Sequence, residues 1–210
     1  MPVTTQGQTG QQNLGAGLAL GATRLGAGGE LVTTQYHGNY YEQNYRGNLF
    51  IASTPAAGAA IPAFGTAAQQ FLVYNPPGSS VLCVPIRLLL GYVSGTNAPG
   101  FVCLAHSLLV QATPGTITPA AIFPGKPGGA GQGRVQVYTP GSPGTVLTFH
   151  SPLDLSVDTA VATSTNEPNK WAHEFDGTFI CPPGGMFSIA GNIALTTTCT
   201  IALIYEEVPV

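Results

Sequence analysis

Charged residues are what this sequence most clearly lacks. Only 6 lysines and arginines and 9 aspartates and glutamates occur among 210 residues, so 7% of the chain is charged, against roughly 25% in an ordinary globular domain. The basic residues are scattered singly and form no stripe that could follow a phosphate backbone, so we expect no nucleic-acid partner. Solubility must come from uncharged polar groups, which suffices when neighbouring subunits cover much of the surface. The composition therefore favours a component of an assembly.

The sequence also lacks a membrane-spanning run and the features of a secreted protein. No charge occurs between Arg46 and Arg87, but five prolines interrupt this stretch before it could form a spanning helix of about 20 residues. No lysine or arginine precedes Arg24 and no compact apolar block follows a basic start, so we expect no signal peptide. No Asn-x-Ser/Thr sequon is present. We therefore expect a cytosolic protein without a membrane partner.

Helices are disfavoured, because the chain contains 28 glycines and 18 prolines. Its length suits one large domain with a real core. The stretch Phe179–Val210 organises that core, and in its final strand Cys199, Ile201, Leu203 and Tyr205 share one face because strand side chains alternate. Both faces of this strand carry apolar residues, which predicts a sheet packed on a second sheet. The predicted fold is all-β: a two-sheet, jelly-roll-like β-sandwich of eight or so strands, without a helix and with an extended N-terminal arm.

Other strand candidates precede this closing stretch. They are Gly47–Ala52, Gln70–Tyr74, Val81–Val93, Phe101–Gln111, Val135–Tyr138, Thr145–Phe149 and Trp171–Ile180. Within Val81–Val93, Pro85 cannot donate a ladder hydrogen bond, so it should lie at an edge or a bulge. The turn residues Asn75-Pro76-Pro77-Gly78 should reverse the chain sharply just before this strand.

Adjacency along the chain suggests how these strands pair. Val81–Val93 is expected to pair with Phe101–Gln111 across a Gly- and Pro-containing turn. Val135–Tyr138 and Thr145–Phe149 are expected to form a second hairpin. Thr113–Gly133 is rich in turn residues and is predicted to be a loop, and Leu153–Asn169 a more polar connection.

Residues 1–35 are predicted to form a glycine-rich arm, and residues 36–210 a single β-sandwich domain. Eight glycines and only two charges lie between Met1 and Glu30, so this segment cannot bury enough side chain to fix its backbone. It is either a disordered tail or an arm that becomes ordered on another subunit. In the second case its leucines are the candidate contacts: Leu14, Leu18, Leu20 and Leu25.

Half of the eight tyrosines crowd into one segment beside His37, Glu42 and Arg46. They are Tyr36, Tyr40, Tyr41 and Tyr45. Tyrosine offers a large, rigid contact area with a polar tip, which suits a subunit interface or a core position. The same rings exposed in a groove would instead suit sugar stacking. We favour the first interpretation and count the four tyrosines and Arg46 among the candidate interface residues.

Histidines and acids are the first candidates for catalysis or metal binding. His150 lies near Asp154, and His173 lies near Glu174, but in a strand His173 and Glu174 face opposite ways. No Gly-x-Ser-x-Gly elbow is present, and the Pro-Gly-Lys-Pro sequence at Lys126 lacks the remaining positions of a phosphate-binding loop. We therefore expect no enzymatic activity, catalytic residue, cofactor, metal or small-molecule substrate.

The four cysteines lie far apart, each in an apolar strand candidate and without a Cys-x-x-Cys pair. They are Cys83, Cys103, Cys181 and Cys199. Buried, reduced thiols are the favoured interpretation, and a scattered zinc site or disulfides are the alternatives.

Three segments resemble a group of tailed-phage virion proteins, and they occur in the same order. The segments are YHGNYYEQNYRGNLF (Tyr36–Phe50), VYNPPGSSVLCVPIRLLLGY (Val73–Tyr92), and CPPGGMFSIAG together with the ending IYEEVPV. The resemblance implies a phage structural protein present in the virion and assembled in the bacterial cytoplasm. Within that class, a capsid cement or decoration protein is the first expectation. Such proteins are usually trimers of β-sandwiches, so the implied partners are two further copies of the chain and the major capsid protein. The alternative is a head-fibre or tail-associated protein that binds a host receptor, such as a glycan.

Overall fold

The computed structural model describes residues 40–65, 68–95, 100–107, 113–128, 133–157 and 170–210. The predicted arm and the proposed domain boundary at residues 35 and 36 lie outside these ranges. The described sandwich belongs to a compact unit that begins at Glu42.

One short helix precedes the strands of the described residues. The helix α1 spans Tyr41–Arg46, which corrects the expectation of no helix. Its sequence, YEQNYR, contains neither glycine nor proline and includes good helix formers. The strands are β1 (Leu49–Ser53), β2 (Ala59–Ala60), β3 (Phe71–Tyr74), β4 (Val81–Ser94), β5 (Gly100–His106), β6 (Ile117–Pro119), β7 (Ala121–Pro124), β8 (Gln136–Gly141), β9 (Thr148–Val157), β10 (Lys170–Glu174), β11 (Met186–Gly191) and β12 (Thr198–Pro209).

The strands form two six-stranded sheets, and every pair of named strands is antiparallel. The first sheet has the order β10-β4-β12-β1-β7, with β2 also paired to β12. The second has the order β6-β8-β3-β11-β5-β9. The buried side chains of both sheets form one large hydrophobic cluster. The predicted all-β sandwich is confirmed.

The strand pairing is nested in the manner of a jelly roll. The outermost strands β1 and β12 pair, β3 pairs with β11, β4 with β10, and β5 with β9. The pairs β4–β12 and β5–β11 join these units into the two sheets. Eight strands therefore follow the jelly-roll path, while β6, β7 and β8 are inserted between β5 and β9 and extend both sheets on one side.

The last strand, β12, lies inside the first sheet between β1 and β4. Its side chains alternate between buried and partly buried as predicted, and Ile201, Leu203 and Tyr205 are fully buried. The Tyr205 ring stacks on Phe50 of β1 with 5.7 Å between ring centroids. Full burial of an aliphatic side chain such as Ile201 or Leu203 stabilises the fold by about 1.5–3 kcal/mol.

The prediction for Pro85 is confirmed. Pro85 pairs with Tyr205, and the register between β4 and β12 shifts between Ile204 and Tyr205. On its other edge, β4 pairs with β10 through residues 87–91. The bulge at Pro85 therefore lies just beyond the end of the pairing between β4 and β10. The missing N–H therefore falls at an irregularity and not within a regular ladder.

Asn75 organises the predicted Asn-Pro-Pro-Gly turn. The backbone N–H of Ser79 donates to the Pro76 carbonyl at 3.0 Å, which closes the turn. Asn75 itself is fully buried, and its side-chain amide donates to the carbonyls of Val81 (2.7 Å) and Cys181 (3.0 Å). This one side chain joins the start of β4 to the segment before β11, which explains why a polar residue is retained in the interior.

Both predicted hairpins are wrong. β4 and β5 are consecutive along the chain but belong to different sheets. Val135–Tyr138 and Thr145–Phe149 fall near β8 and β9, which lie in one sheet with β3, β11 and β5 between them. In each case a long-range pairing replaces the local one, because strand-forming residues do not encode which partner completes their ladder.

Two predicted connections also contain strands. The predicted loop Thr113–Gly133 includes β6 and β7, which are separated only by Ala120. β6 belongs to the second sheet and β7 to the first. The supposed connection starting at Leu153 begins inside β9, which continues to Val157. We predicted loops in these segments because they contain prolines. The strands β6, β7 and β9 all lie at sheet edges, where proline is tolerated.

A second, smaller hydrophobic cluster covers the outer face of the second sheet. Leu147, from the segment before β9, and Phe64, from the segment after β2, pack there. They cover outward-facing strand residues that include Leu72, Tyr74 and Met186. Both segments are fixed by the backbone, since Phe64 N–H donates to Gly191 (3.1 Å) and Leu147 N–H to Gly65 (3.3 Å).

Glu207 ties the end of the chain to the start of β8. Its carboxylate accepts hydrogen bonds from the backbone N–H groups of Arg134 (3.0 Å) and Val135 (2.9 Å), and the residue is buried. Hydrogen bonds to a buried carboxylate are among the stronger ones in proteins. This acid therefore has a structural role.

We predict that Glu207→Ala destabilises the protein by about 2–4 kcal/mol, because two backbone donors lose their acceptor in the interior. The neighbouring Glu206→Ala is the matched control, since Glu206 faces outward and its loss should change the free energy of unfolding by less than about 0.5 kcal/mol. Urea unfolding at one fixed protein concentration measures both variants. Equal stability of the two variants would contradict the assignment.

Candidate protein-binding surface

Four of the nine predicted interface residues are described, and all four are exposed. Tyr41, Tyr45 and Arg46 belong to α1, and Tyr40 immediately precedes it. Five others lie outside the described residues: Leu14, Leu18, Leu20, Leu25 and Tyr36. The interface role of all nine stays a prediction.

The C-terminal end of α1 is fixed by a glycine. Gly47 has a φ of +80°, which favours glycine. The N–H groups of Gly47 and Asn48 donate to the carbonyls of Asn44 (3.1 Å) and Gln43 (3.0 Å). The chain therefore turns directly from α1 into β1.

Close packing places α1 beside the ends of β1 and β7. The N–H of Gly125, which follows β7, donates to the carbonyl of Leu49 at 2.8 Å. A Cβ atom on Gly125 would lie 2.5 Å from the side-chain oxygen of Asn44 and 3.1 Å from Leu49 Cδ2. A larger residue at position 125 would therefore require the Asn44 side chain to shift.

A basic side chain lies over one tyrosine of this helix. The ammonium nitrogen of Lys126 is 5.3 Å from the centroid of the Tyr45 ring, and Tyr45 is 62% exposed. Such cation–π contacts stabilise by about 0.5–1 kcal/mol at exposed sites. The surface thus combines an oriented tyrosine ring with the cations of Lys126 and Arg46. Of these residue types, tyrosine and arginine are enriched in binding hot spots.

The three histidines of the described residues, His106, His150 and His173, lie against aromatic rings. His106 and His150 lie 5.2 Å apart between ring centroids, and Phe179 contacts both. On β10, His173 stacks on Trp171 at 5.7 Å, while Glu174 points the other way and forms an ion pair with Arg87, as expected for alternating strand residues. Within the described residues, no group of three or more His, Cys, Asp or Glu side chains could hold a metal ion.

The environment of His106 lowers the pKa of its imidazole. Burial is the main cause, the nearby His150 adds to it, and a backbone hydrogen bond to Ser107 opposes it. His106 ends β5 and pairs with Phe187 on one side and Thr148 on the other. Sequence alone gave no signal for this pair, because 43 residues separate the two histidines in the chain.

All four cysteines are buried and free, so the favoured interpretation is confirmed. Burial raises the pKa of Cys181 to about 12 and that of Cys103 to about 11, and it raises the pKa of Cys83 well above the ordinary value. Since the thiolate is the reactive form, these residues act as small core side chains. Cys83 and Cys181 also join β4 to the segment before β11 through two backbone hydrogen bonds.

The fold and this surface define the chain as an all-β jelly-roll protein with an exposed aromatic and basic helix at the entrance to its first strand. Comparison with protein-family models, with curated proteins and with solved structures finds no match. No helix in the described part of the chain is long and apolar enough to cross a membrane.

The lowered pKa of His106 predicts a loss of stability in mild acid. The unfolded chain binds a proton at His106 near pH 6.5, whereas the folded chain binds it only at lower pH. The stability contribution is therefore fully present above pH 6.5 and is lost as the pH falls through the folded pKa. We expect His106→Asn to flatten this part of the pH profile.

Thermal unfolding between pH 7.5 and pH 5 measures the effect. His173→Asn is the control, because it leaves the pair His106 and His150 intact and should preserve the decline of the parent protein. A parent profile and a His106→Asn profile with the same slope would show that this histidine is not the sensitive group.

Proposed function

We propose that this chain is a structural protein of a tailed-phage virion, and that it acts as a capsid cement or decoration protein. It binds the major capsid protein and further copies of itself, as a homotrimer, through protein–protein contacts and without catalysis. It enters the virion during assembly in the bacterial cytoplasm.

The exposed aromatic and basic helix is the observation that carries this proposal. Large aromatic side chains and arginine at one exposed site favour binding to another protein. Tyr45 lies at this site under the Lys126 ammonium group. The site directly follows the N-terminal segment that we expect to engage a neighbour. The jelly-roll fold agrees with the proposal, since viral capsid proteins use it, although other classes use it as well.

Receptor or glycan binding is the second candidate function. Sugar stacking needs an open aromatic face. Lys126 lies over one face of the Tyr45 ring, which favours a protein interface at this tyrosine. The Trp171 ring is partly buried, packs against the core and is stacked on His173, so it is not freely presented either.

Attachment to empty phage heads that lack the protein tests the proposal. We predict that Tyr45→Ala weakens attachment by about 30-fold, as the loss of roughly 2 kcal/mol at a hot spot would. Tyr92→Ala is the matched control, because Tyr92 is also exposed (47%) but lies on β4 outside this surface. Sedimentation of heads with increasing protein gives both affinities.

Equal attachment of both variants would remove Tyr45 from the binding surface. If the parent protein did not attach to heads at all but bound intact host cells, the decoration role would be wrong and the receptor-binding candidate would replace it.

A further inference from the structure

Two of the four buried cysteines lie directly opposite each other. Cys83 belongs to β4 of the first sheet, and Cys181 lies in the segment before β11 of the second sheet. The Cys83 N–H donates to the Cys181 carbonyl at 3.0 Å, and the Cys181 N–H donates to the Cys83 carbonyl at 2.9 Å. The two residues therefore form a hydrogen-bonded antiparallel pair, in which the Cα atoms lie about 5.5 Å apart.

This spacing is typical of a disulfide bond. Cysteines joined by a disulfide usually have their Cα atoms about 4.4–6.8 Å apart. The side chains of directly opposed residues project on the same side of the backbone pair, and both cysteines belong to the same hydrophobic cluster. The two thiols are also close enough to interact electrostatically, because Cys181 adds to the effect of burial in raising the pKa of Cys83.

The two sulfur atoms need a small local movement before they can bond. The Cβ atoms of opposed residues lie about 4.5–5.5 Å apart, whereas those of a disulfide lie about 3.5–4.5 Å apart. The segment at Cys181 is suited to this movement, because its pairing with Cys83 is an isolated bridge outside the named strands. A ladder of several paired residues would resist the same movement more strongly.

Cys181 lies at the start of a surface turn. Pro182 is exposed, and the N–H of Gly185 donates to the Pro182 carbonyl at 3.0 Å. The Cys181 thiol lies 3.8 Å from the same carbonyl oxygen, and a Cβ atom on Gly185 would lie 3.0 Å from the Cys181 sulfur. The Cys181 sulfur is therefore packed against the backbone of this turn, and a local opening of the turn would admit a small, uncharged oxidant.

The other two cysteines have different surroundings. The strand register places no cysteine opposite Cys103 on β5 or Cys199 on β12. Burial raises the pKa of both thiols. Cys103 and Cys199 therefore serve as internal references for the pair formed by Cys83 and Cys181.

We infer that Cys83 and Cys181 form an oxidative modification site, in which the two thiols are free in reducing surroundings and become an intramolecular disulfide when a peroxide is present. The bond locks the start of β4 to the segment before β11, and so links the first sheet to the second. This inference concerns the chain itself and does not depend on the proposed virion role.

Cys181 is the thiol that reacts first with hydrogen peroxide. Burial, Cys181 and Glu207 all disfavour the thiolate of Cys83, whereas burial is the cause at Cys181. The Cys181 sulfur attacks one peroxide oxygen, the O–O bond breaks, and the departing hydroxide takes the thiol proton, which gives a sulfenic acid and water. Because the reactive thiolate is scarce at neutral pH, this step is slow.

Cys83 then completes the bond. Its sulfur attacks the sulfur of the Cys181 sulfenic acid, the S–O bond breaks, and the departing hydroxide takes the Cys83 proton to form a second water. In total, two thiols lose two electrons and two protons, and one hydrogen peroxide is reduced to two waters.

Peptide mapping of the full-length protein tests the inference. The reduced protein is treated with hydrogen peroxide, unfolded in urea with an alkylating agent and digested for mass spectrometry. We expect a peptide pair linked through Cys83 and Cys181, with Cys103 and Cys199 still alkylated. Protein that was not treated with peroxide should have four alkylated cysteines.

Thermal unfolding of the same samples tests the locking effect. Cys83 and Cys181 are 98 positions apart in the chain, and a disulfide that closes so long a loop restricts the unfolded chain strongly. We expect peroxide to raise the unfolding midpoint by about 10 °C. Cys83→Ala should abolish this rise, and Cys199→Ala is the matched control that should keep it.

Circular dichroism reports whether each variant is folded. If Cys83→Ala does not fold, the peptide map and the unfolding midpoint of the parent protein decide, since neither needs a variant. Four alkylated cysteines after peroxide treatment would overturn the inference, as would a disulfide that includes Cys103 or Cys199 or that joins two chains. A bond between Cys83 and Cys181 without a rise of the midpoint would overturn the locking effect.

Discussion

The placement of the last strand in the centre of the first sheet is the constraint on which the rest of the structure depends. β12 pairs with β1 on one side and with β4 on the other, so residues about 150 positions apart, such as Ile51 and Ile204, must meet. Neither neighbour can complete its ladder before the end of the chain is in place. Folds dominated by such distant pairs form slowly and cooperatively. The end of the chain also fixes the start of β8, because the Glu207 carboxylate accepts a hydrogen bond from the Val135 N–H.

The sequence allowed the strands to be predicted better than their partners. Alternation in β12, the bulge at Pro85 and the turn at Asn75 follow from local rules about side-chain direction and missing donors, and all three were correct. The hairpins failed because nearest-neighbour pairing is only a default, and the jelly roll replaces it with nested pairs across the chain. β6 and β7 were missed because prolines tolerated on edge strands resemble loop residues.

The candidate binding surface was also predictable only where it depends on residues that are close together in the sequence. The sequence places four tyrosines close together, and the exposure of the three that are described, Tyr40, Tyr41 and Tyr45, is compatible with an interface. Lys126 lies 81 residues from Tyr45 in the chain, so only the fold reveals their contact. Both faces of β12 carry apolar residues, and this pattern correctly predicted that its sheet packs on a second sheet. The pattern did not predict the smaller cluster on the outer face of the second sheet, where Phe64 and Leu147 pack. The low charge content favours an assembled protein.

Locating the protein in purified virions by electron cryomicroscopy tests the central claim most directly, because position separates a shell protein from a fibre or tail protein. The account predicts jelly-roll density on the outside of the capsid at three-fold positions, with three copies in contact with one another. Density for this chain only on head fibres or at the tail would contradict it.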